Sequence, residues 1–412
     1  MKKLISVLLC LLFTVLALAG CGDVDRSEWL GTGKDDDSKV IGGKYDGQGT
    51  VSTIHEANLN LYIVVEDETW NGEGVAPAEP TSKIGVGTQA INTVNNAIKD
   101  YTSTNYHTAV NVIYVKASEY NTVVLEAVKA ENSDAKAANI VLINSYSLMQ
   151  DLAEYLCPLD SYLATTKYGR LNKTIPSSLL QASRIEVAAN GTGSSALYSI
   201  PNNHVIGNYE YLLVNKNLAR ELNINETSAL ALNSYVTAVD VIEAAINASG
   251  MNVSVEDVIS LVSGSYEDRF SYEKFGYYCN VVKNPVADKN EAFLSAFAIV
   301  KREHDKVDIN ERAMEIIYNI NTNSELRNLL QYGVAGTNYN IDEDESIKML
   351  DGSNSYKMNL VYTGDIMLAH HCEEIGWTEE AQKNASSQNA DSITVEQLTA
   401  MNNKNNQATS NE

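Results

Sequence analysis

Short apolar runs alternate with amphipathic stretches through the first half of the chain. Residues 59–65 form an almost continuous apolar run, as expected of a strand buried on both faces. Residues 90–101 instead repeat apolar side chains every three or four positions, which is typical of an amphipathic helix. The alternation continues, with strands predicted at 110–115 and 140–143 and helices at 119–130 and 148–156.

This β-α-β-α-β order predicts an open, mostly parallel sheet with helices on both faces, and therefore an α/β fold. A second set of elements follows and predicts a second lobe. Its strands are expected at 209–214, 276–282 and 293–300, its helices at 216–222, 237–248, 311–320 and 325–332, and a hairpin at 339–341 and 346–350.

The first 21 residues are expected to be a targeting segment and not part of the fold. Lys2 and Lys3 precede an apolar run at 4–18, which is too short for a comfortable membrane span. The run ends in Leu-Ala-Gly-Cys, which resembles the lipobox of bacterial lipoproteins. That resemblance implies cleavage before Cys21, lipidation of its thiol and a stable membrane anchor.

Polar segments flank the predicted lobes. Residues 22–50 are glycine-rich and acidic, so we expect a flexible tether between lipid and fold. Residues 381–412 are rich in Asn, Gln and Ser and are predicted to be a loose tail, with a short helix at 394–401 as an alternative for that part.

Charge narrows the possible partners. The 412 residues carry a net charge of −23, from 53 acidic and 30 basic side chains. A nucleic-acid partner is disfavoured, because phosphates are bound by Lys and Arg. Direct binding to anionic lipid is disfavoured for the same reason. Cys157, Cys279 and Cys372 do not form a CxxC motif, so buried thiols are expected.

Several segments, in their order along the chain, resemble extracellular solute-binding proteins. A-N-I-V-L-I-N at 138–144 is similar to a cleft-lining strand of that family. L-Y-S-I-P at 197–201 and Y-L-L-V-N-K at 211–216 resemble its first crossover and the opening of its second lobe. S-A-F-A-I-V at 295–300 resembles the strand that crosses back, and G-V-A-G-T-N-Y at 333–339 a later turn.

The resemblance implies a two-lobed periplasmic-binding-protein-like fold of type II, each lobe a mostly parallel sheet flanked by helices, with crossover strands between them. A small solute is clamped in the cleft by hinge closure and passed to the permease of an ABC importer. The protein would not be an enzyme and would need no cofactor. The expected segments are a first lobe at 51–200, a second at 201–296, a return at 297–345, and a closing segment with part of the second lobe at 346–380.

Loops at the carboxyl ends of parallel strands are the expected ligand contacts. Trp70 lies in the polar loop after the first strand and offers a flat face to a sugar ring, or else covers an apolar edge. Asn144, Ser145 and Tyr146 follow the 140–143 strand and offer hydrogen bonds and stacking.

Other candidates follow the first crossover or flank a later turn. Asn202, Asn203 and His204 are predicted either to grip polyol hydroxyls or to bond the bent backbone. The remaining candidates are tyrosines that line the cleft or pack in the core: Tyr209, Tyr332 and Tyr339.

Motifs for catalysis and metal binding are weak. His370 and Glu374 would share a helical face, but two ligands do not make a zinc site, so no metal is expected. The leading hypothesis is a lipid-anchored, extracytoplasmic solute-binding protein for a sugar or oligosaccharide. The alternative is a surface lipoprotein of the same fold that acts as a sensor or adhesion partner.

Overall fold

The computed structural model describes residues 40–45, 51–66, 88–187, 195–302, 308–343, 345–350 and 354–409. Cys21 and Trp70 lie outside the described residues. Within these ranges, no helix has both the length and the apolar content needed to span a bilayer.

The chain divides into two compact units, one of residues 1–57 and 304–307 and the other of residues 58–303 and 308–412. In the first unit, strands β1 (Val40–Tyr45) and β2 (Val51–His55) pair antiparallel. Part of the segment predicted as tether, 22–50, is therefore a strand. The β-branched residues in both segments favour this pairing over a coil.

The second unit contains the remaining elements. Its strands are β3 (Ala57–Val65), which begins at the last residue of the first unit, β4 (Thr108–Lys116), β5 (Ile140–Ile143), β6 (Arg184–Ile185), β7 (Ala196–Leu197), β8 (Ser199–Pro201), β9 (Tyr209–Asn215), β10 (Ile259–Gly264), β11 (Tyr277–Lys283), β12 (Val286–Ala287), β13 (Ala296–Ile299), β14 (Tyr339–Ile341), β15 (Ile347–Met349) and β16 (Ile393–Thr394). Its α-helices are α1 (Thr88–Tyr106), α2 (Ala117–Lys129), α3 (Tyr146–Leu152), α4 (Asp160–Leu163), α5 (Leu171–Thr174), α6 (Ser177–Ala182), α7 (Lys216–Glu221), α8 (Glu226–Leu230), α9 (Tyr235–Ser249), α10 (Val255–Val258), α11 (Asp268–Lys274), α12 (Lys289–Ala292), α13 (Ile309–Ile320), α14 (Ser324–Tyr332), α15 (Glu379–Ala390) and α16 (Val395–Thr409).

The larger sheet has the strand order β4-β3-β5-β13-β8. β3 runs parallel to β5, with Leu61 opposite Ile140. β13 pairs antiparallel with both β5 and β8. The predicted α/β class with a parallel-containing sheet is confirmed, because the apolar runs of β3 and β5 are buried between helices. The predicted β14–β15 hairpin also forms.

The outer edge of this sheet carries a side-chain cap. Asn95, on α1, accepts a hydrogen bond at 2.9 Å from the backbone N–H of Val112 on β4. Its amide nitrogen donates at 3.3 Å to the carbonyl of the same residue. One side-chain amide thus takes the place of a neighbouring peptide group at the β4 edge.

The smaller sheet, of order β10-β9-β11, differs from the prediction. Both outer strands run antiparallel to β9, so the expected mostly parallel second sheet is wrong. Within β10, the half-buried Ser260 and Val262 alternate with the exposed Leu261 and Ser263, and such alternation is typical of antiparallel sheets with one solvated face.

The predicted loose tail is also wrong for the described residues 381–409, although the helix offered as an alternative at 394–401 forms. α15 packs with Ala385, Gln388 and Asn389 buried, and α16 follows it. Apolar periodicity did not indicate α15, because two of these three buried side chains are amides. They bond the backbone of the segment between β8 and β9, where Gln388 Nε2 donates to the carbonyl of Ile206.

Arg302 ties the end of β13 to the end of α2. Its guanidinium donates to four carbonyls, those of Ala138 at 2.8 Å, Ala130 at 2.7 Å, Ala127 at 3.0 Å and Val128 at 3.1 Å. A cation at a helix C-terminus also complements the helix dipole. This side chain therefore holds the second helix against the sheet.

We predict that Arg302→Met lowers the free energy of unfolding by about 2 kcal/mol, because these carbonyls lose their donor. Urea unfolding followed by circular dichroism measures the change. The matched control is Lys301→Met, since Lys301 is exposed and donates one bond, to the carbonyl of Glu154. Equal losses in the two variants would contradict the anchoring role.

Candidate functional site

The carboxyl ends of the parallel strands β3 and β5 meet at one edge of the larger sheet. β3 ends at Val65 and is followed by Glu66, and β5 is followed by Asn144. On β13, Ala296 lies opposite Ile143 of β5. One step further along this register, Asn144 is level with Ser295.

The antiparallel strands extend this edge with polar groups. Ala296 also lies opposite Pro201, and the backbone N–H of Asn202 donates to the carbonyl of Ser295 at 2.9 Å. Asn144, Ser295 and Asn202 therefore form one row across three strands, which we call the polar row. Ser295 and Asn202 are fully buried.

Two amide oxygens of the polar row lack a donor among the described residues. The Asn202 amide nitrogen donates to Ser295 Oγ at 2.7 Å and to the carbonyl of Val361 at 3.1 Å, but its Oδ1 is buried without a partner. Asn144 Oδ1 is likewise buried and unpartnered. A buried acceptor without a donor costs about 1–3 kcal/mol, so this edge can take up donor groups.

Residues 357–363, which we call the wall segment, cross this edge. The amide nitrogen of Asn359 donates to the carboxylate of Glu66. The carbonyl of Val361 accepts from Ser295 Oγ at 2.6 Å as well as from Asn202. The wall segment thus touches both the end of β3 and the polar row.

A cavity of about 210 Å³ lies between the wall segment and the end of β3. It is lined by Val65, Glu66, Lys357, Met358, Asn359, Leu360 and Ile375. The lining combines a carboxylate, an ammonium group and an amide with aliphatic side chains. Such a mixture can hydrogen-bond hydroxyl groups while packing against the C–H face of a ring.

A tyrosine lies close to the same carboxylate. Burial raises the pKa of Tyr362, and the negative charge of Glu66 raises it further. The phenol therefore keeps its proton at neutral pH and remains available as a donor.

The loop after β5 contains the predicted residues Ser145 and Tyr146. Ser145 Oγ accepts from the backbone N–H of Leu148 at 3.2 Å and so caps α3. The ring of Tyr146 stacks on Phe293, with centroids 5.5 Å apart and planes 16° apart. Ser145 thus has a structural role, while Tyr146 is half-buried against the core.

For Asn203 and His204, the structure favours bonding to the backbone over the predicted grip on a ligand. The amide nitrogen of Asn203 donates to the carbonyl of Thr174 at 3.4 Å, and its Oδ1 accepts from Asn389 at 3.0 Å. His204 Nδ1 lies 2.8 Å from the carbonyl of Asn202, and Nε2 lies 3.3 Å from Glu291. Both side chains are buried.

The three predicted tyrosines are core residues in this structure. Tyr209 donates to Asp391 at 2.8 Å and stacks on Tyr211. Tyr332 donates to the carbonyl of His370 at 3.1 Å and meets Tyr339 edge-on. All three are buried, which matches the core alternative for these residues.

The most informative residues of the site were not among the predicted contacts. Glu66 is the first residue of the loop that contains Trp70. Its position directly after β3 is the sequence signal that could have identified Glu66 as a site residue. Lys357 and Asn359 lie about 290 residues further along the chain, and tertiary packing alone brings them to β3.

The weak metal motif has other contacts. Glu374 accepts from the backbone N–H of Met349 at 3.1 Å, and the His370 ring lies against Tyr339. In the part of the chain that the structure describes, His, Cys, Asp and Glu do not form a group of three that could hold a metal ion.

No family model matches the chain, and no curated protein matches it.

Solved structures that align with this chain include three solute-binding proteins. The N-glycan transport solute binding protein NgtS from Streptococcus pneumoniae aligns over 82% of this chain and 84% of its own, with 12% identity and a TM-score of 0.48. A family 1 extracellular solute-binding protein from Alicyclobacillus acidocaldarius covers 82% and 87%, with 8% identity and a TM-score of 0.39. The GacH receptor of Streptomyces glaucescens covers the same shares, with 11% identity and a TM-score of 0.33.

Asp365 is a buried carboxyl group next to this site. It caps the 3-10 helix Ile366–Leu368 by accepting from the backbone N–H of Met367 at 2.9 Å. Burial raises its pKa to about 6, although that bond, the Asn203 amide and the charge of Arg327 oppose the shift. The folded state therefore holds this proton at pH values where the unfolded chain has lost it.

We predict that Asp365 makes the fold more stable as the pH falls from 7 to 5, because its pKa is raised on folding. Relative to Asp365→Asn, the wild type should gain about 1 kcal/mol of unfolding free energy over this interval. Urea unfolding of both proteins at pH 7, 6 and 5 measures the difference. Parallel pH profiles would exclude Asp365 as the source.

Proposed function

We propose that this protein binds a small, hydroxyl-rich solute of the saccharide class at the carboxyl edge of its larger sheet. The observation that carries the proposal is the pair of unpartnered amide oxygens, Asn144 Oδ1 and Asn202 Oδ1, in the polar row at this edge. A sugar hydroxyl donates and accepts hydrogen bonds, so it can supply the missing donor.

The neighbouring cavity complements the same kind of solute. Glu66 accepts hydrogen bonds and Lys357 donates them, while Met358, Leu360 and Ile375 offer aliphatic surface. Binding orients such a solute without any covalent step, and we propose a carrier and not a catalyst. Trp70 and Tyr146 remain predicted stacking residues for the ring.

We further propose that the protein is anchored to the extracytoplasmic face of the cell membrane through Cys21 and delivers its solute to an ABC permease. The lipobox-like sequence supports the anchor. The resemblance of several other segments of the chain to solute-binding proteins supports the permease partner. Such a partner is expected of a protein that binds its ligand without transforming it.

The binding proposal predicts that a saccharide raises the melting temperature of the mature chain in mild detergent, whereas amino acids and peptides do not. At one hundred times its dissociation constant, a ligand adds about 2.7 kcal/mol of stability. Maltotriose and mannotriose are suitable first probes. If no saccharide shifts melting at millimolar concentration, the proposal fails.

Two cavity variants locate the site. Glu66→Gln and Lys357→Met should each weaken saccharide binding about tenfold, the loss of one charged hydrogen bond of about 1.4 kcal/mol. Glu119→Gln and Lys348→Met are matched controls, since both residues are exposed and do not line the cavity. Equal affinities in all four variants would place the ligand elsewhere.

The anchor has its own test. Wild-type protein made in a bacterial host with lipoprotein processing should partition into the detergent phase of a Triton X-114 extract, because lipid chains drive that partition. Cys21→Ser should remain in the aqueous phase. Identical partition of the two proteins would contradict lipidation at this residue.

A further inference from the structure

The wall segment lacks the regular backbone partners of a strand or an α-helix. Its residues 360–363 form a 3-10 turn, and its first residues are irregular. Buried backbone groups in such a segment need other partners. Much of this requirement is met by one face of the neighbouring helix α14.

Gln331 is the first of two fully buried polar side chains on that face. Its amide nitrogen donates to the carbonyl of Met358, and its oxygen accepts from Thr363 Oγ1 at 2.5 Å. Its backbone carbonyl also accepts from the N–H of Met358 at 2.9 Å. Gln331 therefore holds both ends of the wall segment.

Arg327 is the second, and it is fully buried as well. Its Nη2 donates to the carbonyl of Leu360 at 2.9 Å, while Nη1 makes a longer bond, 3.4 Å, to Asn328. Burial lowers its pKa to about 10, and the neighbouring Tyr332 phenol and the negative charge of Asp365 oppose that shift. The guanidinium thus stays charged at neutral pH.

A buried cation at this position needs an explanation. Among the described residues, no carboxylate lies within ion-pair distance of Arg327, and its Nε has no partner. Taking a charge out of water costs several kcal/mol, and even buried ion pairs can often be replaced by apolar residues of similar volume without loss of stability. Stability alone therefore does not account for an arginine here.

The two side chains act on alternate carbonyls of the wall segment. Positions 327 and 331 are four apart and share one helical face. They hold the carbonyls of Met358 and Leu360, the residues on either side of Asn359. Holding both carbonyls restrains the backbone on either side of Asn359, whose amide bonds Glu66 at the cavity.

We infer that Arg327 and Gln331 are positioning residues of the binding cavity. They hold the wall segment so that Asn359 meets Glu66, and they thereby set the affinity for the solute without touching it. This inference rests on the proposed function of the cavity. It assigns a binding role to two residues that line neither the cavity nor the polar row.

The test compares Arg327→Met and Gln331→Met with Asn338→Leu, a control at a neighbouring buried amide. Asn338 is also fully buried, but its amide bonds the N–H of Val334 and the carbonyl of Asn354, outside the wall segment. Titration calorimetry with maltotriose and mannotriose measures affinity. Hydrogen–deuterium exchange of residues 357–363 without ligand measures positioning.

We expect the two positioning variants to lower affinity at least tenfold and to exchange the wall segment at least tenfold faster. The control should stay within twofold of wild type in both measurements, even where its melting temperature falls. Gln331→Met keeps the test valid where Arg327→Met does not fold.

Wild-type affinity and exchange in both positioning variants would overturn the inference, as would equal losses in the control. If the wild type binds neither sugar, the proposed function loses its support from these probes. The ligand-free exchange comparison still decides whether Arg327 and Gln331 hold the wall segment.

Discussion

The structure depends on one constraint: buried backbone that belongs to no regular element must still find hydrogen-bond partners. The chain crosses its own interior irregularly after β8 and again before α15. At these crossings, side chains replace the missing peptide partners. Asn389 bonds the N–H of Ile206 and the carbonyl of His204, and Gln331 and Arg327 bond the carbonyls of the wall segment. The amide-rich composition of these segments follows from this need.

The same constraint shapes the candidate site. Most polar side chains at this edge of the sheet hydrogen-bond backbone groups. Ser295 Oγ, for example, donates to the carbonyl of Val361. The groups left over are therefore informative. Within the polar row, Asn144 Oδ1 and Asn202 Oδ1 are buried acceptors without a donor. In the proposed function, such an edge would discriminate ligands through a few placed acceptors in addition to apolar surface.

Sequence periodicity predicted the elements whose burial is apolar. The runs of β3 and β5 and the amphipathic faces of α13 and α14 were visible, because aliphatic side chains do the packing there. It did not predict α15, where Gln388 and Asn389 are buried for their hydrogen bonds. Nor did it predict the contact of Glu66 with Asn359, because residues 293 positions apart meet only through the tertiary fold. Of the predicted contacts, Asn144 and Asn202 lie together in the polar row, but the sequence did not separate them from neighbours such as Ser145, which holds backbone.

The amide cap of Asn95 on β4 affects how readily one copy of the protein associates with another. An open strand edge is a template on which a second chain can add its own strand, the first step toward domain swapping or fibril growth. At Val112 that template is already filled by a side chain of the same molecule. Together with a net charge of −23, which makes copies repel one another, the cap disfavours self-association. Copies at high local concentration would then remain separate.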